Sequence, residues 1–417
     1  MLKRRVLGAA LAAALLLSFT ACGRNDYPMT ENNNAGKSDM VQNTFEDYDT
    51  VYAVDAAEDY PYSNLGEPTN ASDDTAKITP QAGLLTAGRW SDNDNWGFFS
   101  NLIKSERLSY PLFGLNPTKR IKITVKGEDG APAANVWAEL INEKGDTVWK
   151  GVTDHNGVVY LMNKNDDSGV SVKLSDGTQQ AVELGETQTN EQGVTTGTYS
   201  TEQEITISGS GKKYENADIM FIIDSTGSMR DEMEFLQSEF TEITNRIGDK
   251  NTRYSVNFYR DEGDEYLTKC NKFSSDVKDV QTTINNEKAD GGKGQIAAVA
   301  QALDQTMNDA DWSEESVKLA FLIFDAPPYK EAADSLAKSV ETAASKGIRL
   351  IPVVGSGSDE DVEMFGRAIA IETGGTYVFL TDDSGIGESH EEPIIGEHEV
   401  KPLVDIITEI INEYRSN

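Results

Sequence analysis

The chain has 417 residues, of which 38% are hydrophobic, so two or three folded domains with sizeable cores are possible. Its 70 acidic residues outnumber its 37 basic residues and give a formal net charge of −33 at pH 7. A surface this acidic repels phosphate backbones and anionic membranes, which argues against nucleic acid as a partner and favours cations or cationic partners. With only two cysteines, the chain has no disulfide framework.

Residues 1–21 have the features of an export signal, because basic residues precede an apolar run that is too short to span a membrane as a mature helix. The segment Phe19–Gly23 resembles the lipobox of bacterial lipoproteins, although Phe19 is unusual as its leading residue. That resemblance implies lipidation of Cys22. We therefore expect a protein anchored by lipid to a bacterial cell membrane and facing the extracytoplasmic side. A secretory signal with an incidental cysteine is the alternative.

The next two segments differ in composition. Residues 22–82 lack hydrophobic periodicity and are rich in acidic residues, which predicts a disordered acidic tether. Residues 83–116 carry many aromatic side chains, and Trp96, Phe99 and Ile103 have helical spacing. This aromatic-rich connecting segment is expected to pack on a neighbouring domain.

Residues 117–211 show a hydrophobic period of two, interrupted by turn residues, which predicts a small β-sandwich that acts as a spacer. The segments Gly127–Ala133 and Thr153–Gly157 resemble the carboxypeptidase-regulatory-like and transthyretin-like sandwiches of exported proteins. Asp154 is expected to satisfy backbone donors of its own turn, with calcium ligation as the alternative reading.

Residues 212–417 alternate between strand and helix patterns, which predicts a doubly wound α/β domain with a mostly parallel sheet. The expected strands are Ala217–Ile223, Tyr254–Tyr259, Val317–Phe324, Ile348–Val354 and Thr376–Leu380. The segment Leu267–Phe273 follows a strand after a short loop and is expected to pair antiparallel at the edge of the sheet. Cys270 within it is expected to be a small buried hydrophobe. The chain as a whole is therefore predicted to be multidomain, with a β-sandwich followed by this α/β domain.

Polar side chains follow the predicted strands at the points where they end. Asp224, Thr226 and Ser228 place one carboxylate and two hydroxyls at alternate positions after an apolar strand. Asp325 follows a second strand, and the acidic loop 259–265 follows a third. Carboxyl ends of parallel strands meet at one edge of a sheet, where mutual repulsion of these carboxylates would be costly without a cation. A carboxylate that caps the following helix is the simpler reading of Asp224 alone.

Residues from about 214 to 417 resemble a von Willebrand factor type A (VWA) domain with its metal-ion-dependent adhesion site. The signature Asp-x-Ser-x-Ser appears as Asp224, Thr226 and Ser228, and Asp325 matches the second aspartate of the family. The resemblance implies that these four residues hold Mg²⁺, or alternatively Mn²⁺ or Ca²⁺.

One loop departs from the family pattern. Tyr259–Asp261 and Asp325–Pro328 resemble a bacterial and eukaryotic subgroup, but the loop Asp290–Gln295 carries Gly294 where the family has a further ligand. Water can fill that coordination position, since Mg²⁺ commonly keeps several waters. In the other reading, the ammonium of Lys293 partly substitutes for the metal.

Three functions are compatible with these residues. The first is a cell-surface lipoprotein that binds an extracellular or envelope protein or peptide, whose acidic side chain completes the metal's coordination. The rim of that ligand site is expected to include Ser225, Arg260, Asp261, Asp264, Lys293 and Gln295. The second is a metal-independent scaffold in an envelope complex. The third is metal-assisted hydrolysis of a phosphoester, which is opposed by the lack of a histidine base near the signature. A protein that is not an enzyme is therefore expected.

Overall fold

The computed structural model describes residues 81–104, 113–164, 169–182, 199–248, 251–292, 298–386 and 392–416. All of them lie in one compact unit, Thr75–Asn417. The export signal, Cys22 and nearly all of the acidic tether fall outside the described residues, so those predictions stay predictions. None of the described helices is long and apolar enough to cross a membrane.

The elements are numbered along the chain. The strands of the described part are β1 (Thr86–Trp90), β2 (Lys119–Lys126), β3 (Trp137–Asn142), β4 (Thr147–Val152), β5 (Val158–Met162), β6 (Gly169–Leu174), β7 (Gln179–Ala181), β8 (Tyr199–Thr206), β9 (Asn216–Asp224), β10 (Thr252–Tyr259), β11 (Thr268–Lys269), β12 (Ser316–Phe324), β13 (Ile348–Val354), β14 (Tyr377–Leu380) and β15 (Val400–Pro402). The helices are α1 (Trp96–Lys104), α2 (Arg230–Ile247), α3 (Val277–Asn285), α4 (Val299–Asn308), α5 (Ala333–Lys346), α6 (Glu360–Thr373) and α7 (Leu403–Arg415).

The largest sheet has eight strands in the order β11-β10-β9-β12-β13-β14-β1-β15. Its centre, from β10 to β14, is parallel, whereas β11, β1 and β15 pair antiparallel with their neighbours β10, β14 and β1. The mostly parallel sheet and its antiparallel edge at β11 were expected from the sequence. The prediction of one antiparallel edge strand was incomplete, because the opposite edge also contains antiparallel pairs.

Helices cover both faces of this sheet, which explains why its central strands are apolar along their whole length. Successive residues of β9 divide between two cores: Ile219, Phe221 and Ile223 pack with α2, α3 and α7, whereas Met220 and Ile222 pack with α4, α5 and α6. The alternation follows from the period of two in a strand. Both faces of β9 are therefore buried. The polar residues that follow this strand lie at the carboxyl end of the parallel strands.

Residues 86–90 of the predicted connecting segment belong to the main sheet as β1. Strand β1 lies between β14 and β15, with Arg89 paired opposite Val378. Beyond β1, Asp92 forms a two-pronged ion pair with the fully buried Arg367 of α6, at 2.6 and 2.8 Å. The sequence missed this role because strand pairing between residues almost 300 positions apart leaves no local pattern.

The strands predicted between residues 117 and 211 form two separate sheets, β5-β2-β8 and β4-β3-β6-β7. They are not a spacer that stands apart, because their apolar side chains share one core with α4, α5 and α6. Arg349 of β13 also donates a hydrogen bond to the Val152 carbonyl at 2.5 Å. Asp154 accepts backbone hydrogen bonds from Asn156 and Val158 within its own turn, as expected.

The edge segment containing Cys270 differs from its prediction. Strand β11 is only two residues long, and Cys270 lies just beyond it with an exposed side chain. Its thiol donates to Gln305 Oε1 at 3.2 Å. The prediction that Cys270 is buried was therefore wrong, since an edge segment has a solvent-facing side that a central strand lacks.

Candidate metal-binding site

The candidate site begins at the last residue of β9. Asp224 is fully buried, and its Oδ1 accepts a hydrogen bond from the backbone N–H of Thr226 at 2.8 Å. The hydroxyls of Thr226 and Ser228 lie 3.1 Å apart, with Thr226 buried and Ser228 exposed. The three signature side chains thus form a short path from the sheet interior to solvent, lined with oxygen atoms.

Asp325 completes this arrangement from the neighbouring strand. Strands β9 and β12 are parallel and in register, with Ile223 opposite Ile323, so the residues that follow them meet at the same sheet edge. Gly355, just after β13, packs close by, since a Cβ there would lie 3.5 Å from that of Asp325. The approach of three strand ends brings Asp224 and Asp325 together, as the sequence predicted.

The electrostatics of the pair are unfavourable without a counterion. Burial, followed by the negative charge of Asp325, raises the pKa of Asp224, and hydrogen bonding from Thr226 and from the Tyr259 hydroxyl only partly opposes this. Oδ2 of Asp224 is buried, and no hydrogen bond of standard length and angle reaches it in the described part of the chain. A buried carboxylate oxygen without a donor is costly, so this atom is available to a cation.

A loop that contains Asp290, Gly291 and Gly292, here called the glycine loop, lies directly against the signature residues. The backbone N–H of Gly227 donates to the Gly291 carbonyl at 3.2 Å, and that of Asp290 donates to the Ser225 carbonyl at 3.0 Å. Gly291 and Gly292 both have positive φ, at 80° and 68°. The residues that follow, Lys293 to Ala297 and so also Gly294 and Gln295, lie outside the described residues. Water filling and lysine substitution at this loop both stay open.

Three of the predicted rim residues, Ser225, Arg260 and Asp261, are buried instead. Ser225 is fully buried, and its hydroxyl bonds the Tyr259 carbonyl and the Tyr266 hydroxyl. Arg260 is 5% exposed and forms an ion pair with the buried Glu287 at 3.0 Å. The sequence predicts Ser225 and Arg260 at the rim because they directly follow the strand ends at Asp224 and Tyr259, but these hydrogen bonds and this ion pair hold their side chains inside the protein.

The two aspartates of the β10–β11 loop hold the site's loops in place. Asp264 Oδ2 accepts from the backbone N–H groups of Asp261 and Gly292, at 3.1 and 2.9 Å. Asp261 is buried, and its carboxylate accepts hydrogen bonds from the Glu262 N–H and the Tyr329 hydroxyl. Since Asp264 joins the acidic loop to the glycine loop, its carboxylate supports the signature from outside.

The donor set fits a hard divalent cation. Carboxylate and hydroxyl oxygens are the ligands that Mg²⁺ and Ca²⁺ prefer, and Mg²⁺ usually takes one or two carboxylates with several waters. No group of three or more His, Cys, Asp or Glu side chains suited to a metal occurs among the described residues. A metal here therefore depends on the hydroxyls of Thr226 and Ser228 as well as on Asp224 and Asp325.

Several residues around the site had no separate signal in the sequence. Tyr259 ends β10 opposite Asp224, and burial together with the charges of Asp224 and Asp325 raises the pKa of its hydroxyl. Glu232 of α2, 1% exposed, accepts from the backbone and hydroxyl of Ser356 after β13. A polar residue at the start of an amphipathic helix is normally solvated, so only packing reveals its role.

Glu287 collects several of these contacts behind the signature. It accepts from the Tyr266 hydroxyl, the Lys269 ammonium and Arg260, at 2.6, 2.8 and 3.0 Å. Burial alone would raise the pKa of Glu287, but the hydrogen bonds from Lys269 and Tyr266 and the charges of Lys269 and Arg260 lower it. This network fixes Ser225 through Tyr266 and so stabilises the signature loop.

Comparison with known proteins supports the same domain. Residues 218–391 match the von Willebrand factor type A domain family. Among solved structures, the chain is similar to a conserved hypothetical protein, BatB, from Bacteroides thetaiotaomicron, at 12% identity and a TM-score of 0.35, covering 48% of this chain and 98% of that one. It is also similar to an aerotolerance-related membrane protein from Bacteroides fragilis NCTC 9343 carrying multiple mutations to serines, at 14% identity and a TM-score of 0.33, with 48% and 98% coverage.

No curated protein sequence matches the chain. The match to the family nevertheless spans β9 and β12, the two strands whose ends carry Asp224 and Asp325. Residues 218–391 therefore form a VWA domain.

Proposed function

We propose that the VWA domain binds a protein or peptide partner through a divalent cation held by Asp224, Thr226, Ser228 and Asp325. The observation that supports this most directly is the buried Asp224, whose pKa is raised by burial and by the adjacent Asp325 and whose Oδ2 receives no hydrogen bond of standard length and angle in the described part of the chain. A bound cation supplies positive charge to this pair and leaves coordination positions open to solvent.

The exposed side of the site suits an acidic partner. Ser228 is exposed while Asp224 and Thr226 are buried, so a cation here is reached from the Ser228 side. Because two hydroxyls of the proposed ligand set are neutral, the cation keeps part of its charge and attracts a carboxylate from the partner.

Thermal unfolding of the full chain tests the metal site. We expect the melting temperature to rise with Mg²⁺ or Mn²⁺ over EDTA, because a ligand that binds only the native state stabilises it by about 2.7 kcal/mol at a hundredfold excess over Kd. Asp224→Ala removes this rise, and Ser228→Ala reduces it. The exposed Asp279→Ala on α3 is the matched control and leaves it unchanged.

A melting temperature that is the same in EDTA, Mg²⁺, Mn²⁺ and Ca²⁺ would contradict the metal site and favour a metal-independent scaffold. For a partner, pull-down from the extracytoplasmic fraction is compared with and without EDTA. Loss of capture with EDTA and with Asp224→Ala supports the proposal, whereas capture insensitive to both contradicts it.

We further propose that the chain is held at the membrane by lipid on Cys22. The support is the lipobox-like segment before this cysteine. Metabolic labelling with a fatty-acid analogue is expected to mark the wild-type chain but not Cys22→Ser, while equal labelling of both would contradict the anchor.

A further inference from the structure

A large cavity lies at the N-terminal ends of β12 and β13, whereas the proposed metal site lies at the carboxyl ends of β9 and β12. Its volume is about 540 Å³, which is within the usual range for small-molecule sites. Lys318 and Arg349, near the starts of β12 and β13, line it from the main sheet, and Trp137 and Lys150 of β3 and β4 line it from the smaller sheets. At the usual rise per residue, Lys318 and Asp325 are separated by roughly 20 Å along β12. The cavity is therefore a separate place on the molecule.

The side chains that line this cavity carry a net positive charge, whereas the chain as a whole is strongly negative. Its ionised side chains are five basic residues and two acidic ones, namely Lys150, Lys212, Lys318, Lys346 and Arg349 against Asp154 and Glu314. The chain as a whole carries a formal charge of −33. Cationic side chains that gather in one concave place on an acidic protein attract an anion, because the walls focus their field into the cavity.

Lys318 is the most informative of these residues. Its side chain is only 9% exposed, and its ammonium donates to the Ser316 carbonyl at 3.2 Å. An ammonium has three donor hydrogens, so this hydrogen bond leaves donor capacity. Burial lowers the pKa of Lys318, the charge of Asp218 opposes this shift, and smaller contributions come from Arg349, which lowers the pKa, and from Glu314, which raises it.

The carboxylate of Asp218, which lies near Lys318, is engaged by other donors. Both oxygens of Asp218 are engaged by Arg253, at 2.9 and 2.7 Å, and one also accepts from the Ser313 N–H at 2.7 Å. A buried ammonium is costly unless it is hydrogen-bonded and paired. An anion in the cavity would supply a negatively charged acceptor to the Lys318 ammonium, in addition to the Ser316 carbonyl.

Aromatic rings form the apolar part of the wall. Trp312 is held in place by an edge contact with Phe273, at 4.7 Å between centroids, and by its Nε1–H, which donates to the Thr306 carbonyl at 2.8 Å. Trp137 faces the cavity from β3, with the Lys150 ammonium 4.8 Å from its ring. Rings fixed in this way can contact a planar ligand without losing further side-chain freedom.

We propose that this cavity binds a small organic anion, whose carboxylate or phosphate accepts a hydrogen bond from Lys318 and whose ring packs against Trp137 and Trp312. The binding uses none of the residues of the metal site. It goes beyond the proposed metal-dependent function and does not depend on it.

Isothermal titration of the full chain tests this with 1-naphthoate, phenyl phosphate, inorganic phosphate and the neutral 1-naphthalenemethanol. We expect saturable binding of at least one aromatic anion with Kd below about 5 mM, and binding of the neutral alcohol at least tenfold weaker. The ratio of naphthoate to phenyl phosphate affinity distinguishes a carboxylate ligand from a phosphate ligand. Inorganic phosphate is expected to bind more weakly than phenyl phosphate, because it makes no ring contact.

Two variants and two controls locate the binding. Lys318→Met is expected to weaken the aromatic anion at least tenfold, and Lys150→Gln, nearer the solvent, about threefold. The exposed Lys213→Met lies next to Lys212 but does not line the cavity, so it leaves the affinity unchanged. Asp224→Ala also leaves it unchanged, which separates this site from the metal site.

Several results would overturn the proposal. One is the absence of saturable binding of both aromatic anions up to about 10 mM. Another is equal affinity for the neutral alcohol. A third is unchanged affinity in Lys318→Met. If Lys318→Met does not fold, unchanged affinity in Lys150→Gln serves the same purpose.

Discussion

Gly292 lies so close to Thr226 that a Cβ at position 292 would come within 2.6 Å of the Thr226 Cβ. Gly292 also has a φ of 68°, a conformation that residues with a side chain rarely adopt. Its backbone N–H is held by Asp264 at 2.9 Å. The glycine loop is thus in direct contact with the Thr226 side chain of the proposed metal site, and any enlargement there displaces Thr226.

Gly292→Ala is therefore expected to weaken metal binding at least tenfold, because Thr226 must move, and to destabilise the fold by more than about 1 kcal/mol. Gly263→Ala is the matched control, since it has a φ of 89° but open space around its Cβ. It is expected to cost a similar backbone strain without changing metal affinity. Titration with Mn²⁺ and chemical unfolding of both variants measure these effects, and equal metal affinities would contradict the proposed contact.

Removing the carboxylate of Asp92 is expected to separate the N-terminal segment from the VWA domain. Asp92→Asn breaks a pair with Arg367, whose side chain is fully buried, and breaking a buried pair typically costs about 3–5 kcal/mol. Glu413→Gln breaks the exposed Arg89–Glu413 pair, which is expected to cost less than about 1 kcal/mol. Urea unfolding measures both, and a cost below 1 kcal/mol for Asp92→Asn would show that the pair does not hold the segment.

Glu239 is expected to make stability fall as pH rises. Burial raises the pKa of Glu239 from 4.5 to about 7, even though the backbone N–H groups of Gly83 and Leu85 oppose the shift. Because the folded state holds the proton more tightly, its contribution is fully present below pH 4.5 and is lost as pH rises to about 7. The contribution is at most about 3 kcal/mol.

Glu239→Gln keeps an acceptor for the Gly83 N–H, at 2.8 Å in the wild type, but cannot ionise. We expect this variant to lose that part of the pH dependence and to be more stable than the wild type near pH 8. Glu234→Gln, exposed on the same helix, is the control. Unfolding free energies measured between pH 4 and 8 decide the matter, and parallel curves for wild type and Glu239→Gln would contradict the raised pKa.

The thiol of Cys270 is expected to be accessible but slow to react. The side chain is exposed, while partial burial and the charge of Asp309 raise the pKa of its thiol. Since the thiolate is the reactive form, alkylation by a maleimide at pH 7 should go to completion more slowly than with free cysteine. The rate is measured in Cys22→Ser, with Asp309→Asn expected to accelerate it. A thiol that remains unmodified in the folded protein would contradict its exposure.

Much of the main sheet could be predicted because its strands are apolar along their whole length. Strands β9, β10, β12 and β13 lie within one residue or two of their predicted bounds. The meeting of Asp224 and Asp325 was also predictable, since parallel strand ends share an edge. The local pattern does not show which side chains next to the strand ends are buried. It therefore predicts Ser225 and Arg260 at the rim, although both are buried.

The sequence by itself determined the alternating strands and helices of the main sheet and strands β2, β3, β5 and β6 of the smaller sheets, because each follows from spacing within a short stretch of chain. It also predicted the four oxygen-bearing residues of the proposed metal site, because they follow the ends of two apolar strands. Tertiary structure alone decided that β1 enters the main sheet, that the smaller sheets share the core of α4, α5 and α6, and that Lys318 faces a cavity. These features join residues far apart in the chain, where partner choice depends on packing and on the pairing of buried charges rather than on local periodicity.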